Sequence, residues 1–449
     1  MSRQDYRRIA EEIAEEIAAD IAAGRLKPGE RLLPQREFAW RRGIAPSTAA
    51  RVYRALFRSG LVDGEIGRGT FVRASPSPAS AALSEPAAAA VDLELNFPIL
   101  TGQADIIARA LEPVLRPENL DAAMRPVGHA ATRPAQETIA GFLGRGGWAP
   151  EPDGILLTGN GRQAIAASLS ALAPAGSRIG VEALTYPVML AIAEHLRLDV
   201  VPIEMDREGI VPERLEAIHR ATPLRALYLQ PLLHNPLGAS MGGERRARIA
   251  GFLREHDVPT IEDAIYAFLA DEAPLTALAP DHVVVIDSFS KRIAPGLTLG
   301  MIAAGAKYRQ AIARAIRSGV WAASGFPLAA SLRLIEDGTA GRVQADKRED
   351  AIARQEIART CLAGCDLTGD PRAYHLLMGL PRHWRAEDFV AAAAKHGVAT
   401  VSARAFAPAG NAPNAIRLAL GSPPQGRLIP ALTLLRDLAL AGPAERDVG

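Results

Sequence analysis

The first part of the chain carries apolar side chains at helical spacing. Ile9, Ile13, Ile17 and Ile21 recur every four residues, which places them on one face of a helix. Gly24 ends this pattern, since glycine is a poor helix former. The spacing therefore predicts an amphipathic helix that packs its isoleucine face against later elements.

Two more helices and a hairpin are predicted before residue 73. Residues 35–41 form a short helix, and Pro46 suits the first position of a longer helix that ends near residue 59. The apolar stretches 61–62 and 70–72 then predict two short strands around a glycine-rich turn. This order of elements predicts a winged helix-turn-helix.

The pattern changes after residue 92, where short apolar runs alternate with alanine-rich helical windows. The runs span residues 155–158, 178–181, 200–203, 226–229, 260–261 and 283–286. Strands that alternate with helices are typical of an α/β fold with a mostly parallel sheet. Residues 74–92 consist mainly of Ala, Ser, Pro and Glu, a composition typical of a linker. The predicted domains are therefore 1–73, a linker at 74–92, and 93–445.

Charge is distributed unevenly between these parts. Residues 1–73 hold 14 Lys and Arg against 10 Asp and Glu, a balance of +4. The whole chain carries +1, so the remaining residues sum to −3. A small basic domain on a larger, slightly acidic one indicates a polyanionic partner for the first part.

Composition excludes several other classes of protein. The 449 residues are 48% hydrophobic, which argues against a largely disordered chain. Cys361 and Cys365 cannot make a disulfide framework, and the histidines show no ligand spacing, so no metal site is expected. No apolar run reaches the roughly 18 residues of a membrane span. The N-terminus lacks the apolar core of a signal peptide, so a cytoplasmic location is expected.

The first domain carries a recognisable pattern at residues 24–36, Thr48, Tyr53, Leu56, 60–62 and 67–72. At these positions it resembles the GntR family of bacterial regulators. The resemblance implies that Arg36, Ser47, Thr48 and Arg51 face a DNA operator and that Gly69 approaches the minor groove. The chain has Ala45 and Pro46 where the family usually has Ser and Arg, so an N-cap hydroxyl and a base-reading arginine are missing.

A glycine-rich turn follows the first strand of the large domain. Residues 155–164 read as a strand, a G-x-G-x-x-A turn and the start of a helix, with Glu182 about 20 residues further on. This pattern matches a dinucleotide-binding fingerprint. A helix that opens at such a turn would bind a single phosphate equally well.

A lysine beyond a buried strand favours the single phosphate. Residues 283–286 are apolar, and Ser288, Ser290 and Lys291 follow them directly. A lysine at the edge of a buried strand is desolvated, which lowers its pKa and suits it to a Schiff base. Asp263 and Tyr266 follow another strand end in the same way.

Residues 95–440 resemble fold-type I pyridoxal 5′-phosphate enzymes of the class I/II aminotransferase group. The resemblance implies a large mixed or parallel sheet followed by a small C-terminal α/β subdomain. By this resemblance Lys291 forms the internal aldimine, and Asp263 holds the pyridine nitrogen protonated. The other implied contacts are Tyr266 and Asn235 at the ring 3′-oxygen, Tyr186 on the ring face, Gly161, Arg162, Gln163, Ser288 and Ser290 at the phosphate, and Arg417 at a substrate carboxylate. Thr298 stands where the family usually has a phosphate-binding arginine, and either Arg162 or Arg292 is expected to replace it.

The combination of the two parts resembles the MocR subfamily of transcriptional regulators. That resemblance implies a homodimer whose cofactor domain senses an amine or amino acid by aldimine exchange at Lys291. Two alternatives stay open. One is a competent aminotransferase that carries a DNA-binding domain, and the other is a DNA-binding protein on an inert aminotransferase scaffold.

Overall fold

The structure is a computed structural model that describes most of the chain in two compact units, Met1–Ala81 and Ala82–Gly449. The described residues are 10, 13–14, 16–18, 20–21, 25–26, 30–58, 61–65, 69–72, 89–128, 131–319, 321–408 and 412–441. Most of the predicted linker lies outside these residues, so its boundaries stay predictions.

The first unit contains the helices and the hairpin that the apolar pattern predicts. The described residues between 10 and 21 are helical, and they are followed by α1 (Gln35–Arg42), α2 (Pro46–Arg58), β1 (Val62–Glu65) and β2 (Gly69–Val72). Helix α1 ends at Gly43, whose φ of 62° lies in the left-handed region that glycine tolerates. Strands β1 and β2 pair antiparallel. This arrangement confirms the winged helix-turn-helix.

A seven-stranded sheet forms the centre of the second unit. The strands are β4 (Ile155–Thr158), β5 (Arg178–Glu182), β6 (Asp199–Ile203), β9 (Ala226–Leu229), β10 (Thr260–Asp263), β11 (Val283–Ser288) and β12 (Gly300–Ala303), with a small hairpin of β7 (Met205–Asp206) and β8 (Gly209–Ile210) beside them. Their order in the sheet is β4–β12–β11–β10–β9–β5–β6, in which β12 runs antiparallel to both neighbours and the other pairs are parallel. The mixed α/β sheet expected from the sequence is thus confirmed.

Helices cover both faces of this sheet. Leu157 and Val285 lie in the core on one face, whereas Leu156 and Ile286 lie in the core on the other. Because both faces are buried, the strands read as unbroken apolar runs. The helices are α3 (Gln103–Leu111), α4 (Pro117–Ala123), α5 (Arg133–Leu143), α6 (Gly161–Leu172), α7 (Pro187–His195), α8 (Pro212–Ala221), α9 (Gly243–His256), α10 (Phe289–Arg292), α11 (Ala306–Ser318), α12 (Gly325–Glu336) and α13 (Thr339–Cys361).

A smaller α/β subdomain follows the long helix α13. Its elements are β3 (Val91–Asp92), β13 (Asp366–Thr368), β14 (His375–Gly379), α14 (Ala386–Lys395), β15 (Val398–Ala399), β16 (Val401–Ser402), β17 (Ala415–Ala419) and α15 (Gln425–Ala441). Four of the strands form an antiparallel sheet in the order β13–β14–β17–β16, and β15 pairs parallel with β3. Residues 91–92, at the end of the predicted linker, therefore belong to a strand of this subdomain.

Candidate cofactor and DNA sites

The lysine turn, residues 288–293, begins at the end of the buried strand β11 and includes the short helix α10. Ser288 caps the short helix α10, because its Oγ accepts a hydrogen bond from the backbone N–H of Ser290 at 3.1 Å. Lys291 lies on this helix, and its Nζ donates to the backbone oxygen of Asn96 at 2.6 Å and lies 3.6 Å from the ring centroid of Phe97. Burial lowers the pKa of Lys291 well below its usual range, and the positive charge of Arg417 lowers it further. A neutral amine is the nucleophilic form of lysine, so this side chain is suited to attack a carbonyl carbon.

Asp263 ends the neighbouring strand β10 and is buried. Its Oδ2 accepts hydrogen bonds from the Tyr228 hydroxyl and from Gln230 Nε2 at 3.1 Å, and its Oδ1 accepts from the backbone N–H of Ile265 at 3.1 Å. Burial raises the pKa of Asp263 to about 6, although these hydrogen bonds oppose the shift. The carboxylate is therefore fixed in place and mostly charged at neutral pH, which suits it to a protonated heteroaromatic nitrogen.

Tyr266 and Asn235 lie beside this carboxylate. The Tyr266 hydroxyl accepts a hydrogen bond from Asn96 Nδ2 at 3.1 Å, and burial raises the pKa of Tyr266 to about 12. The backbone N–H of Asn235 donates to Gln230 Oε1 at 3.1 Å, and the Asn235–Pro236 peptide bond is cis. Gln230 therefore holds both Asp263 and Asn235, and it was missed by the sequence analysis.

The glycine-rich turn that follows strand β4, residues 159–161, lies next to the lysine turn. Asn160 caps helix α6, since its Oδ1 accepts from the backbone N–H of Gln163 at 2.9 Å. A Cβ on Gly161 would lie 3.2 Å from the Cβ of Ser288, so a larger residue would crowd the space between the two turns. We call this space, bordered by Gly161, Ser288 and Ser290, the phosphate cradle. Ser290 Oγ lies 3.0 Å from Ser288 Oγ and 2.8 Å from Thr298 Oγ1. The expectation that the Gln163 amide binds the phosphate is corrected, because Asn160 already occupies that N–H. The amides of Gly161 and Arg162 stay free, and together with these hydroxyl groups they form a site for a phosphate.

The dinucleotide alternative is not supported by the position of Glu182. This carboxylate is buried, its Oε1 accepts from the backbone N–H of Gln230 at 2.9 Å, and its Oε2 lies 3.4 Å from His234 Nε2. A glutamate that contacted a ribose would have to face the ligand site. Glu182 instead supports the loop that carries Gln230 and Asn235.

Arg292 is committed to a buried ion pair. Its Nε and Nη2 both donate to Asp287 Oδ2, at 3.1 and 2.6 Å, and its guanidinium carbon lies 5.0 and 5.6 Å from the ring centroids of Phe142 and Phe268. The expectation that Arg292 could replace the phosphate arginine is therefore corrected. Arg162, in contrast, is exposed at the start of α6, and its charge and hydrogen bond act on the Tyr186 hydroxyl, although burial still raises the pKa of Tyr186.

Arg417 lies in the middle of strand β17 and is buried. Its Nη2 donates to the backbone oxygen of Glu94 at 2.5 Å, and its Nη1 lies 3.5 Å from Asn235 Oδ1. Its Nε has no hydrogen-bond partner among the described residues. A buried guanidinium with an unused N–H can donate to a carboxylate ligand. This agrees with the binding of a substrate carboxylate that the resemblance implies for Arg417.

The described part of the winged helix presents a polar surface on α1 and α2. Arg36, Ser47 and Arg51 are exposed, and neither arginine has an ion-pair partner among the residues that the structure describes. Thr48 is only 2% exposed, because it packs inward beside the core residues Ala49 and Val52. The expectation that the Thr48 side chain faces DNA is therefore corrected. Gly69 begins strand β2, and the wing tip at 66–68 lies outside the described residues.

Comparisons with known proteins identify both units. Residues 114–427 match the model of aminotransferase class I and II, and residues 9–72 match that of bacterial regulatory proteins of the gntR family. The chain is 31% identical to the uncharacterized HTH-type transcriptional regulator YdeF of Bacillus subtilis over 89% of its own length and 87% of that protein's. The chain belongs to the MocR-type transcriptional regulators. As a MocR-type regulator, it is a DNA-binding protein.

Two further similarities describe this MocR-type chain. It is 29% identical to the vitamin B6 salvage pathway transcriptional repressor PtsJ of Salmonella typhimurium, over 63% of this chain and 64% of that protein. Its fold is similar to the crystal structure of Pyrococcus horikoshii kynurenine aminotransferase, with a TM-score of 0.72 and 22% identity, over 82% of this chain and 94% of that one.

The family assigns pyridoxal 5′-phosphate as the cofactor, and the residues of this MocR-type chain fit it. The backbone N–H groups of Gly161 and Arg162 open helix α6 and have no acceptor among the described residues, so both can donate to an anionic phosphate. The cradle beside Gly161 suits a phosphate, and Asp263 suits a ring nitrogen. When bound, the cofactor supplies an aldehyde carbon that joins and exchanges amines.

Several residues that contact the candidate site were not predicted from the sequence. Tyr228 and Gln230 follow the same rule as Asp263, since they lie at the end of a buried strand, and this signal could have identified them. Asn96 and Phe97 precede the first helix of the unit and carry no such signal. Among the described residues, no group of three potential metal ligands lies close enough to hold an ion, and no helix is long and apolar enough to cross a membrane.

Proposed function

We propose that this regulator binds pyridoxal 5′-phosphate at Lys291 and uses it to sense a small amine or amino acid. The observation that carries the proposal is the meeting of a desolvated amine, a buried carboxylate and a buried arginine at one site. Lys291 Nζ contacts the Asn96 backbone, Asn96 contacts Tyr266, and Arg417 contacts Asn235. An amino acid carries the two groups that this arrangement can bind, an amine and a carboxylate.

Each side chain has a defined task in this proposal. Lys291 holds the cofactor and yields its place to the incoming amine. Asp263 retains the proton on the ring nitrogen, while Tyr266 and Asn235 bind the ring oxygen and Tyr186 covers the ring. The phosphate is bound by the free backbone amides of Gly161 and Arg162, the Arg162 side chain and the hydroxyls of Ser288 and Ser290, whereas the Gln163 amide is occupied by Asn160. Arg417 binds the effector carboxylate through charge-assisted hydrogen bonds.

The signal requires that the effector binds two states of the protein with different affinity. We infer that the regulator acts as a homodimer, as MocR-type proteins do, and that effector binding changes its affinity for an operator read by Arg36, Ser47, Arg51 and the wing at Gly69. The basic charge of the first domain supports this DNA contact.

One experiment tests the proposal on the full chain. An operator is first selected from a random DNA pool, and its dissociation constant is then measured with and without a panel of amines and amino acids. In parallel, the cofactor is trapped with borohydride in the wild type, in Lys291→Ala and in the surface control Lys307→Ala. We expect a reducible link in the wild type and the control but not in Lys291→Ala, and at least one compound that changes operator affinity.

Other outcomes would contradict the proposal. Retention of the link in Lys291→Ala would remove the assignment of this lysine. Steady turnover with a keto-acid acceptor, together with operator affinity that no compound changes, would favour the aminotransferase alternative.

A second candidate is that the cofactor itself is the effector. The name of the similar protein PtsJ, a vitamin B6 salvage pathway repressor, favours this possibility. In that case, pyridoxal 5′-phosphate added to cofactor-free protein should change operator affinity without any amino compound, and Lys291→Ala should blunt the response.

A further inference from the structure

A second lysine lies fully buried behind the lysine turn. Lys347 is 0% exposed in the middle of helix α13, and no carboxylate among the described residues lies within ion-pair distance of its amine. Its Nζ donates to the backbone oxygens of Lys291 at 3.0 Å and Ile293 at 2.6 Å. A buried amine without a counter-ion is costly, so its retention at this point calls for a role.

The two carbonyl groups that Lys347 binds lie at the end of helix α10. The last carbonyls of a helix have no partner within it and need another donor. Gln103 Nε2 also donates to the Ile293 oxygen, at 2.9 Å. Lys347 and Gln103 together therefore hold the backbone from which the Lys291 side chain extends.

Helix α13 is itself anchored in the small subdomain. Arg354 donates to the backbone oxygens of Leu420 and Pro423 at 2.6 Å, directly after strand β17. Asp350 accepts from Arg354 Nε at 2.7 Å and from the Tyr374 hydroxyl at 2.9 Å. The same helix thus contacts the lysine turn through Lys347 and, two turns later, contacts through Arg354 the segment that follows the strand carrying Arg417.

We propose that Lys347 is a positioning residue that fixes the turn of Lys291 and places a positive charge behind it. This inference rests on the proposed role of Lys291 in holding the cofactor. Lys347 does not touch the cofactor in this proposal, because its amine is bound to the backbone of the turn.

The charges around Lys347 support the electrostatic part of this inference. The titratable groups around it are Lys291 on the turn, Asp350 on its own helix, and Tyr374, whose hydroxyl donates to the Lys347 backbone oxygen and to Asp350. Arg292, also on the turn, is already matched by Asp287. Burial lowers the pKa of Lys347 to about 7, opposed by the charge of Asp350. Below about pH 7, where the Lys347 amine is protonated, its positive charge in turn contributes to the lowered pKa of Lys291.

The test uses full-length protein loaded with pyridoxal 5′-phosphate. Lys347→Met removes both charge and donor, Lys347→Gln keeps a donor, and Lys307→Met is a surface control. The pH midpoint of the cofactor absorbance change and the rate of borohydride reduction are measured for each. Lys347→Met should raise the midpoint by about half a pH unit or more, because a like charge no longer opposes protonation at Lys291.

The variants separate the two parts of the role. If the charge of Lys347 lowers the pKa of Lys291, Lys347→Gln should shift the pH midpoint as much as Lys347→Met does. If the hydrogen bonds of Lys347 position the turn, the rate of borohydride reduction should be closer to wild type in Lys347→Gln than in Lys347→Met. Folded variants with wild-type midpoint and rate would overturn the inference. Loss of the folded state in both variants would also overturn it, since Lys347 would then serve stability alone. A failure of the proposed function can be distinguished from a failure of this inference, because in that case Lys291→Ala would keep the borohydride-reducible link to the cofactor.

Discussion

Replacing Arg162 with glutamine should weaken the binding of pyridoxal 5′-phosphate about tenfold. The cofactor phosphate is close to a dianion at neutral pH, and a helix N-terminus offers only about half a positive charge. Thr298 is neutral, and Arg292 is held by Asp287 in a buried ion pair. Arg162, at the start of α6, is therefore the cation that we expect to complete the site.

The magnitude follows from the exposure of Arg162. A hydrogen bond to a charged group contributes roughly 1.5–3 kcal/mol. Because the Arg162 side chain is exposed, solvent screens its charge, and we expect the lower end of this range. At about 1.4 kcal/mol per factor of ten, this loss corresponds to a roughly tenfold higher dissociation constant.

The assay is a titration of cofactor-free protein with pyridoxal 5′-phosphate, followed by absorbance. The variants are Arg162→Gln, Arg292→Gln, the double variant Arg162→Gln with Thr298→Arg, and the control Arg248→Gln. Arg248 pairs with Glu213 on the surface, so its loss should leave affinity unchanged. Thr298→Arg should recover much of the affinity, because its neighbour Ser290 belongs to the phosphate cradle.

Two results would contradict this role of Arg162. Equal affinity of Arg162→Gln and the control would show that Arg162 does not bind the phosphate. A loss in Arg292→Gln without loss of the folded state would show that its pairing with Asp287 does not exclude it from the site.

Two further predictions concern the other described sites. Thr48→Val should leave operator affinity and sequence preference unchanged because Thr48 is buried, and an altered preference would contradict its burial. Arg51→Ala should weaken operator binding and reduce the slope of log affinity against log salt concentration by about 0.9, for one lost phosphate contact. Burial raises the pKa of Asp263 to about 6, so the cost of its charge appears as pH rises from the unfolded value near 3.9 and is complete above about 6. Asp263→Asn should therefore raise the unfolding temperature of cofactor-free protein at pH 8 but not at pH 4, while it weakens cofactor binding; equal midpoint changes at both values would argue against a raised pKa.

Local patterns in the sequence determined most of the architecture. The apolar runs at 155–158 and 226–229 coincide with β4 and β9, because strands buried on both faces need continuous apolar side chains. Pro46 begins α2 as its fixed backbone angle requires. The burial of Thr48 was also readable, since it lies four residues before Val52 on the same helical stripe.

Only the tertiary structure decided which charged side chains are available to a ligand. Arg162 and Arg292 look equivalent along the chain, yet the fold places Asp287 against Arg292 and leaves Arg162 exposed. The contact between Lys291 and Asn96 spans 195 positions, and that between Lys347 and the Lys291 backbone spans 56. Such contacts depend on how helices and strands pack, because the period of a single element specifies which face is buried but not which distant residue meets it.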